Sequence, residues 1–370
     1  MKRVLSVLLL AGLVTNLQAQ SKVVIKGTVK GDLKGFNKVY LFGDNVNGDA
    51  TEIKNGTFSF SFPWKVGASP FIYSEYDSAA TTGGYSFPIV VDGPGTVNLK
   101  IADVTKGFIS GTITGNKSAA AFHEFDKGQR TMQSDLLAEL GKRFPGKGKS
   151  DSVFRKAFSQ ERIDRMIPYV SNFVEAHAAE YVGAFVLLRY KNMLPDENVE
   201  KLFAKLSAAM QASIPGKEVR DHLSGMKRSG LGNLVDDFTL STPVGDSISF
   251  SSFRGKYVMV DFWSSWCGPC KASFPHMKEV YQKYQGKNFE ILGISIDEEK
   301  AAWLKEIDKQ RLPWPQVLDT KKIYVTSFGV TGVPTAFLIS PEGKILLKEI
   351  GFDKHGNSLM EKKLKELFDK

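Results

Sequence analysis

Hydrophobic and polar residues alternate over three early stretches, Val23 to Val29, Lys38 to Phe42 and Thr57 to Phe62. A period of two turns one face of an extended strand toward a core and the other toward water. Asn55-Gly56 lies between short apolar runs and signals a hairpin, because both residues tolerate positive φ. Pro88 to Val91 and Thr96 to Ile101 read as a further strand pair around Asp92-Gly93-Pro94-Gly95. Gly111 to Thr114 reads as a closing strand. Residues 21–115 are therefore expected to form an antiparallel β domain, a small sandwich or barrel. It carries no cofactor or metal motif.

From residue 116 to 228 the period lengthens. Ala, Lys, Glu, Leu and Met become frequent, and apolar positions recur three or four apart, as in Phe173, Ala176, His177, Tyr181 and Ala184. Pro145-Gly146, Pro195 and Pro215-Gly216 punctuate the pattern, which predicts three to five helices. Ser229-Gly230-Leu231-Gly232 reads as a boundary. Over 233–370, strand and helix patterns alternate. Lys256 to Trp263 and Phe289 to Ile296 read as buried strands, and Phe274 to Tyr284 and Lys300 to Gln310 as helices. Thr335 to Ile339 and Lys344 to Glu349 form a hairpin around Pro341-Glu342-Gly343, and Leu359 to Phe368 a closing amphipathic helix. That order predicts a mixed central sheet flanked by helices. The chain is thus expected to be multi-domain.

The start of the chain has a different character. Lys2 and Arg3 precede the mostly apolar run Val4 to Val14, and Leu17-Gln18-Ala19 ends in a small residue. Residues 1–20 are expected to be a secretory signal cleaved near Ala19, which sends the protein to the periplasm or cell envelope. The run is too short for a hydrocarbon core of about 30 Å. No other stretch approaches about 20 apolar residues, so no stable span is expected in the mature chain. The formal charge is +9, two units of it from Lys2 and Arg3. The remaining Lys and Arg are dispersed, whereas a nucleic-acid reader would cluster them. No nucleic-acid partner is expected.

Cysteine usage changes the picture most. An exported chain could use disulfides as staples, yet this one has only two Cys, at positions 267 and 270. A bridge that short closes almost no loop and adds little through the unfolded state. Such a pair is better explained as chemistry. Trp266-Cys267-Gly268-Pro269-Cys270 follows a buried strand and opens a helix. A thiol at a helix N-terminus meets unpaired N–H groups and the positive end of the dipole, which favour the thiolate. The thiolate is the form that attacks a disulfide. Cys267 is assigned as the nucleophile and Cys270, one turn further in, as the resolving thiol. A zinc site would need two more ligands. No other Cys exists, and His123, His177, His222, His276 and His355 show no paired spacing, so neither metal nor cofactor is expected. His276 reads as an exposed helix residue or a neighbour of the redox pair. Trp263 and Trp266 flank the motif. Both are candidates for the substrate surface, with core packing the alternative for Trp263.

Val260-Asp261-Phe262-Trp263 leading into Trp-Cys-Gly-Pro-Cys, with Gly332-Val333-Pro334-Thr335 far downstream, resembles thioredoxin. Residues 233–370 resemble more closely the TlpA/ResA-type envelope thioredoxins. Phe238-Thr239-Leu240, Phe253-Arg254-Gly255-Lys256, Leu312-Pro313-Trp314-Pro315 and Val317-Leu318-Asp319 extend the likeness. The regions upstream resemble the N-terminal extensions of some exported members. The resemblance implies a thioredoxin-like fold. It implies that Asp261 is a buried carboxylate of raised pKa that accepts the proton of Cys270. It implies a cis-proline at Pro334, and Val333 backbone groups offered to an extended substrate. Trp266, Gly268, Pro269, Val333 and Pro334 would then make the substrate surface, and Pro275 would kink the active-site helix. One departure stands out. Members that serve cytochrome maturation often carry Glu three residues after the second Cys, where this chain has Ser273. That puts narrow specificity for apocytochrome in doubt.

The expected function is a thiol–disulfide oxidoreductase, a dithiol reductase of protein disulfides supplied with electrons by a membrane thiol relay. Two rivals remain: a thiol peroxidase whose Cys passes through a sulfenic acid, and a partner-binding protein whose N-terminal regions carry the main role.

Overall fold

The computed structural model describes residues 22–43, 46–80, 86–351 and 358–369. The expected signal segment 1–20, with Ala19, lies outside them, as does His355. The chain falls into two compact units, residues up to 183 and residues from 184 onward.

In the first unit, β1 (Lys22–Val29), β2 (Lys38–Gly43), β3 (Val46–Glu52), β4 (Thr57–Pro63), β5 (Phe71–Ser74), β6 (Phe87–Pro88), β7 (Gly95–Ile101) and β8 (Thr112–Thr114) build two four-stranded sheets. Their orders are β4-β1-β7-β8 and β3-β2-β5-β6. The short helix α1 (Glu75–Ala80) follows β5. Every second residue of β4 is buried, as the alternation requires. Val23, Ile25, Phe58, Phe60 and Val97 from one sheet and Val39, Leu41, Ile72 and Phe87 from the other share one core.

Three details of the sequence reading change here. Asn55 and Gly56 do form a tight turn, with φ of 51° and 70° and paired Lys54 and Thr57. The strands on either side, β3 and β4, belong to different sheets, so the turn is a corner and not a hairpin. Pro88 and Thr96 do not lie in paired strands either: β6 joins β5, and β7 joins β1 and β8. The β1–β7 pairing is parallel, within otherwise antiparallel sheets. Periodicity reports which face a strand buries but not which neighbour it takes.

Six helices occupy 117–228, where three to five were expected: α2 (Lys117–Arg143), α3 (Ser152–Ala176), α4 (Tyr181–Tyr190), α5 (Asp196–Lys205), α6 (Ala208–Ala212) and α7 (Ile214–Arg228). The Pro-Gly pairs mark real ends. Pro145-Gly146 separates α2 from α3, and Pro215 falls in the first turn of α7, where its missing N–H costs nothing. The Phe173–Ala184 face is broken because α3 stops at His177. α2 and α3 lie in the first unit, α5 to α7 in the second, and α4 spans the division.

In the second unit, β9 (Thr239–Ser241), β10 (Ser247–Ser249), β11 (Tyr257–Trp263), β12 (Phe289–Ser295), β13 (Gln316–Leu318), β14 (Thr335–Ile339) and β15 (Ile345–Ile350) form a seven-stranded sheet ordered β10-β9-β13-β12-β11-β14-β15. β11, β12 and β13 run parallel, and β14 is antiparallel to β11. Helices α8 (Gly268–Tyr284), α9 (Lys300–Gln310), α10 (Ile323–Thr326) and α11 (Leu359–Phe368) complete a thioredoxin-like α/β domain. The central strand β11 is buried on both faces, as its unbroken apolar run requires. Val258, Val260 and Phe262 pack with Leu292, Phe328 and Phe337 on one face. Met259 and Trp263 pack with Phe274, Trp303 and Leu364 on the other. The pleat puts Asp261 on the second face, the one that α8 and α11 residues cover.

Candidate active site

The chain leaves β11 at Trp263, turns through Ser264–Trp266 and enters α8 with Cys267 as its N-cap. Pro269, in the first helical turn, fits without losing a hydrogen bond. The Cys270 N–H points at the Cys267 sulfur, 3.1 Å away. Cys267 and Cys270 are joined as a disulfide. The orphan N–H groups of the first turn would stabilise a Cys267 thiolate once that bond is reduced. Cys267 is 4% exposed and Cys270 0%. Both residues are buried, Cys270 the deeper of the two.

The downstream motif returns to the pair. The Val333-Pro334 peptide bond is cis, and the Val333 carbonyl oxygen lies 3.6 Å from Cys267 Sγ. Trp266 is 67% exposed beside them. Gly268 opens α8 with nothing crowding its Cα, which leaves room for an approaching chain. Trp266, Ile296, Glu298, Thr331 and Val333 line an open groove next to the sulfur. Trp263 is different: it is wholly buried, edge-on to Phe274, and donates its indole N–H to Gln316 Oε1 at 3.0 Å. It belongs to the core and not to the substrate surface.

Asp261 is buried, and burial pushes its carboxyl up to about 7. It lines a cavity of about 60 Å³ with Ser273, His276, Pro334, Glu349 and Glu361. The rest of its wall is apolar, from Met259, Met277, Val280, Ile291 and Met360, and a space of that size can hold a water or two against the polar groups. The arrangement suits a group that takes up and returns a proton near neutral pH. Ser273, at the position where the resemblance would allow Glu, donates its hydroxyl to the Cys270 carbonyl oxygen at 2.7 Å. His276 is partly exposed, contacts Glu361 and reaches the same cavity. Pro275 lies within α8.

Sequence reasoning missed Asp297. It is buried at the end of β12 and accepts hydrogen bonds from the Ser265 N–H (2.9 Å), the Ser265 hydroxyl (2.7 Å) and the Ser295 hydroxyl (2.6 Å). It ties down the turn that delivers Trp266 and Cys267. A carboxylate directly after an apolar strand was the available signal. Among the described residues no cluster of His, Cys, Asp and Glu is placed to hold a metal ion. Among them, too, no helix is long and apolar enough to cross a membrane.

Comparison with known proteins follows the same part of the chain. Residues 231–348 match the AhpC/TSA family. The thiol-disulfide oxidoreductase ResA of Bacillus subtilis (strain 168) is 33% identical over 123 residues, which span 33% of this chain and 69% of the relative. ResA of Bacillus cereus (strain ATCC 10987 / NRS 248) is 31% identical over 125 residues, 34% of this chain and 72% of the relative. Among solved structures, a thiol-disulfide oxidoreductase from Bacteroides fragilis NCTC 9343 is 35% identical, covers 36% of this chain and 99% of its own, and superposes with a TM-score of 0.33.

Proposed function

Since the chain belongs to the family of ResA-like thiol-disulfide oxidoreductases, we propose that its second unit reduces protein disulfides in the cell envelope, with Cys267 attacking and Cys270 resolving. The observation that carries this reading is the position of Cys267. It caps α8, it faces the Val333 carbonyl at 3.6 Å, and its partner sulfur lies one turn behind it in the core.

In the proposed cycle the Cys267 thiolate attacks one sulfur of a substrate disulfide and the other leaves as a thiolate. A mixed disulfide forms. Cys270 gives up its proton, with Asp261 as acceptor, and attacks Cys267 Sγ. The substrate thiol departs and the 267–270 bridge remains. Two electrons from a dithiol donor, here a membrane thiol relay, reopen the bridge. Trp266, Gly268, Pro269, Val333 and Pro334 form the surface against which the substrate lies. The 1–20 segment would direct export, and the domains before residue 233 would be accessory to the redox step.

The direct test is insulin reduction by the purified protein with a dithiol donor, together with its equilibrium potential. Gly-Pro between the cysteines leads us to expect a value near about −270 mV, as in thioredoxin. A value above about −150 mV would overturn the reductase direction. Peroxide consumption that disappears in Cys267→Ser would instead select the peroxidase reading.

A further inference from the structure

The groove beside Cys267 has a back wall. The segment from Val325 to Val333 leads from α10 to Pro334, and its residues Val330 and Thr331 line the groove on one side and a second cavity on the other. That second cavity is walled by α7 and the end of α4, through Leu188, Asn192, Glu218 and His222. Those helices lie outside residues 231–348, the part of the chain that matches the AhpC/TSA family.

Contact between α7 and the segment is backbone against backbone. A Cβ added at Gly225 of α7 would fall 1.8 Å from the Val325 carbonyl oxygen and 2.7 Å from Gly329 N. Reciprocally, a Cβ at Gly329 would fall 2.7 Å from Met226 N and 2.9 Å from the Gly225 carbonyl carbon. Gly329 also has φ of 54°, in the left-handed region that favours glycine. Two further groups hold the same segment. Asn192 Nδ2 lies 3.5 Å from the Thr331 carbonyl oxygen, and Lys348 Nζ lies 3.4 Å from that of Gly329. Val330 N–H closes the turn onto Tyr324 O at 2.7 Å.

We propose that the C-terminal half of α7 supports the redox site: the Gly225–Gly329 contact positions the segment that carries Val333 opposite Cys267, so α7 and the end of α4 set how tightly a substrate chain is held. The proposal rests on the reading of Cys267 and Val333 as the reacting sulfur and the substrate-facing carbonyl. Gly225, Gly329 and Asn192 act through Val333 and are positioning residues. A shift of a few tenths of an ångström in this backbone alters a contact that every peptide substrate must make, while a small aromatic disulfide needs little of it.

The test uses the full chain. Gly225→Ala is compared with Gly216→Ala, a matched control on the same helix. A Cβ at Gly216 would meet Met210 O at 2.0 Å, on the side away from the Val325–Val333 segment. Both variants are assayed with a disulfide-linked peptide and with 5,5′-dithiobis(2-nitrobenzoate). Gly225→Ala is expected to lower kcat/KM for the peptide about tenfold through KM, with the small disulfide changed by less than about twofold. Hydrogen exchange at the Val330 amide should quicken in Gly225→Ala alone. Gly216→Ala should lose comparable stability and keep peptide turnover. Unchanged peptide KM in Gly225→Ala, or equal loss in both variants, overturns the proposal. Should Gly225→Ala fail to fold, Asn192→Ala decides: a two- to fourfold rise in peptide KM supports it, and an unchanged KM sinks it. Wild-type protein that reduces neither disulfide would defeat the functional reading itself, a distinct outcome.

Discussion

The Cys267 sulfur and the Val333 carbonyl oxygen are 3.6 Å apart although 66 residues separate them in sequence. The sheet makes this meeting unavoidable. β11 and β14 are neighbours running in opposite directions, so the C-terminal end of one sits beside the N-terminal start of the other. A substrate held along Val333, as proposed, would present its sulfur to Cys267, which lies nearer that carbonyl, and not to the deeper Cys270. Cys267→Ser should abolish disulfide reduction. Cys270→Ser should still attack once and then stall, accumulating mixed disulfides on Cys267. Mass spectrometry after trapping in extracts checks both outcomes. Adducts that form on Cys270 in the Cys267→Ser variant would reverse the assignment.

Asp261 makes a prediction about pH. Its carboxyl is lifted from 3.8 to about 7 by burial. The folded protein therefore binds a proton there between those values that the unfolded chain has released. Stability from this group is fully present below about pH 4 and declines as pH rises through about 7. Asp261→Asn removes the penalty for burying a charge. At pH 8 the variant should be more stable than wild type by up to about 4 kcal/mol, and the advantage should vanish near pH 4. Urea unfolding at the two pH values measures it. On the proposed role of Asp261 as acceptor of the Cys270 proton, the same variant should resolve mixed disulfides slowly.

Much of this was legible in sequence where a residue's burial follows from its own strand or helix. The apolar run of β11, the Cys267–Cys270 motif at a helix start and the period of α9 and α11 are local signals, and the structure reproduces them. Pairings were not legible. β3, Val-Asn-Gly-Asp-Ala-Thr-Glu, is too polar to read as a strand and forms because β2 offers it an edge. Trp263 and Trp266 look alike in sequence, three residues apart on opposite sides of the turn, and only packing tells them apart. Asp297 and the Gly225–Gly329 contact join segments far apart in the chain, so no window of sequence contains them.

Asp297 holds the Ser265 turn through two hydrogen bonds to Ser265 and one to Ser295. Asp297→Ala leaves a part-buried N–H and two hydroxyls to find other partners. The cost should be about 2–4 kcal/mol, since each bond to a charged acceptor contributes about 1.5–3 and relaxation recovers part. The turn also sets where Cys267 meets the α8 N-terminus. Alkylation of reduced Cys267 at pH 6 should slow, because a displaced sulfur is less ionised. Loss of stability with an unchanged alkylation rate would limit Asp297 to a structural role.

The two tryptophans give opposite expectations. Trp263 is 0% exposed, packs edge-on against Phe274 and donates to Gln316. Trp263→Ala should cost about 3–5 kcal/mol, the range for a large aromatic removed from a core. It should lower activity only by lowering the folded fraction. Trp266 is 67% exposed, so its removal buries no cavity and should change stability by less than about 0.5 kcal/mol. On the proposed reading of Trp266 as part of the substrate surface, that open aromatic face is where a bound peptide would lie. Trp266→Ala should raise peptide KM about three- to tenfold, equivalent to the roughly 1 kcal/mol of a modest interface aromatic, with kcat nearly constant. Thermal unfolding and peptide kinetics on the two variants separate the cases. A Trp266→Ala protein with wild-type KM would mean that substrates approach Cys267 from the other side, over Gly268.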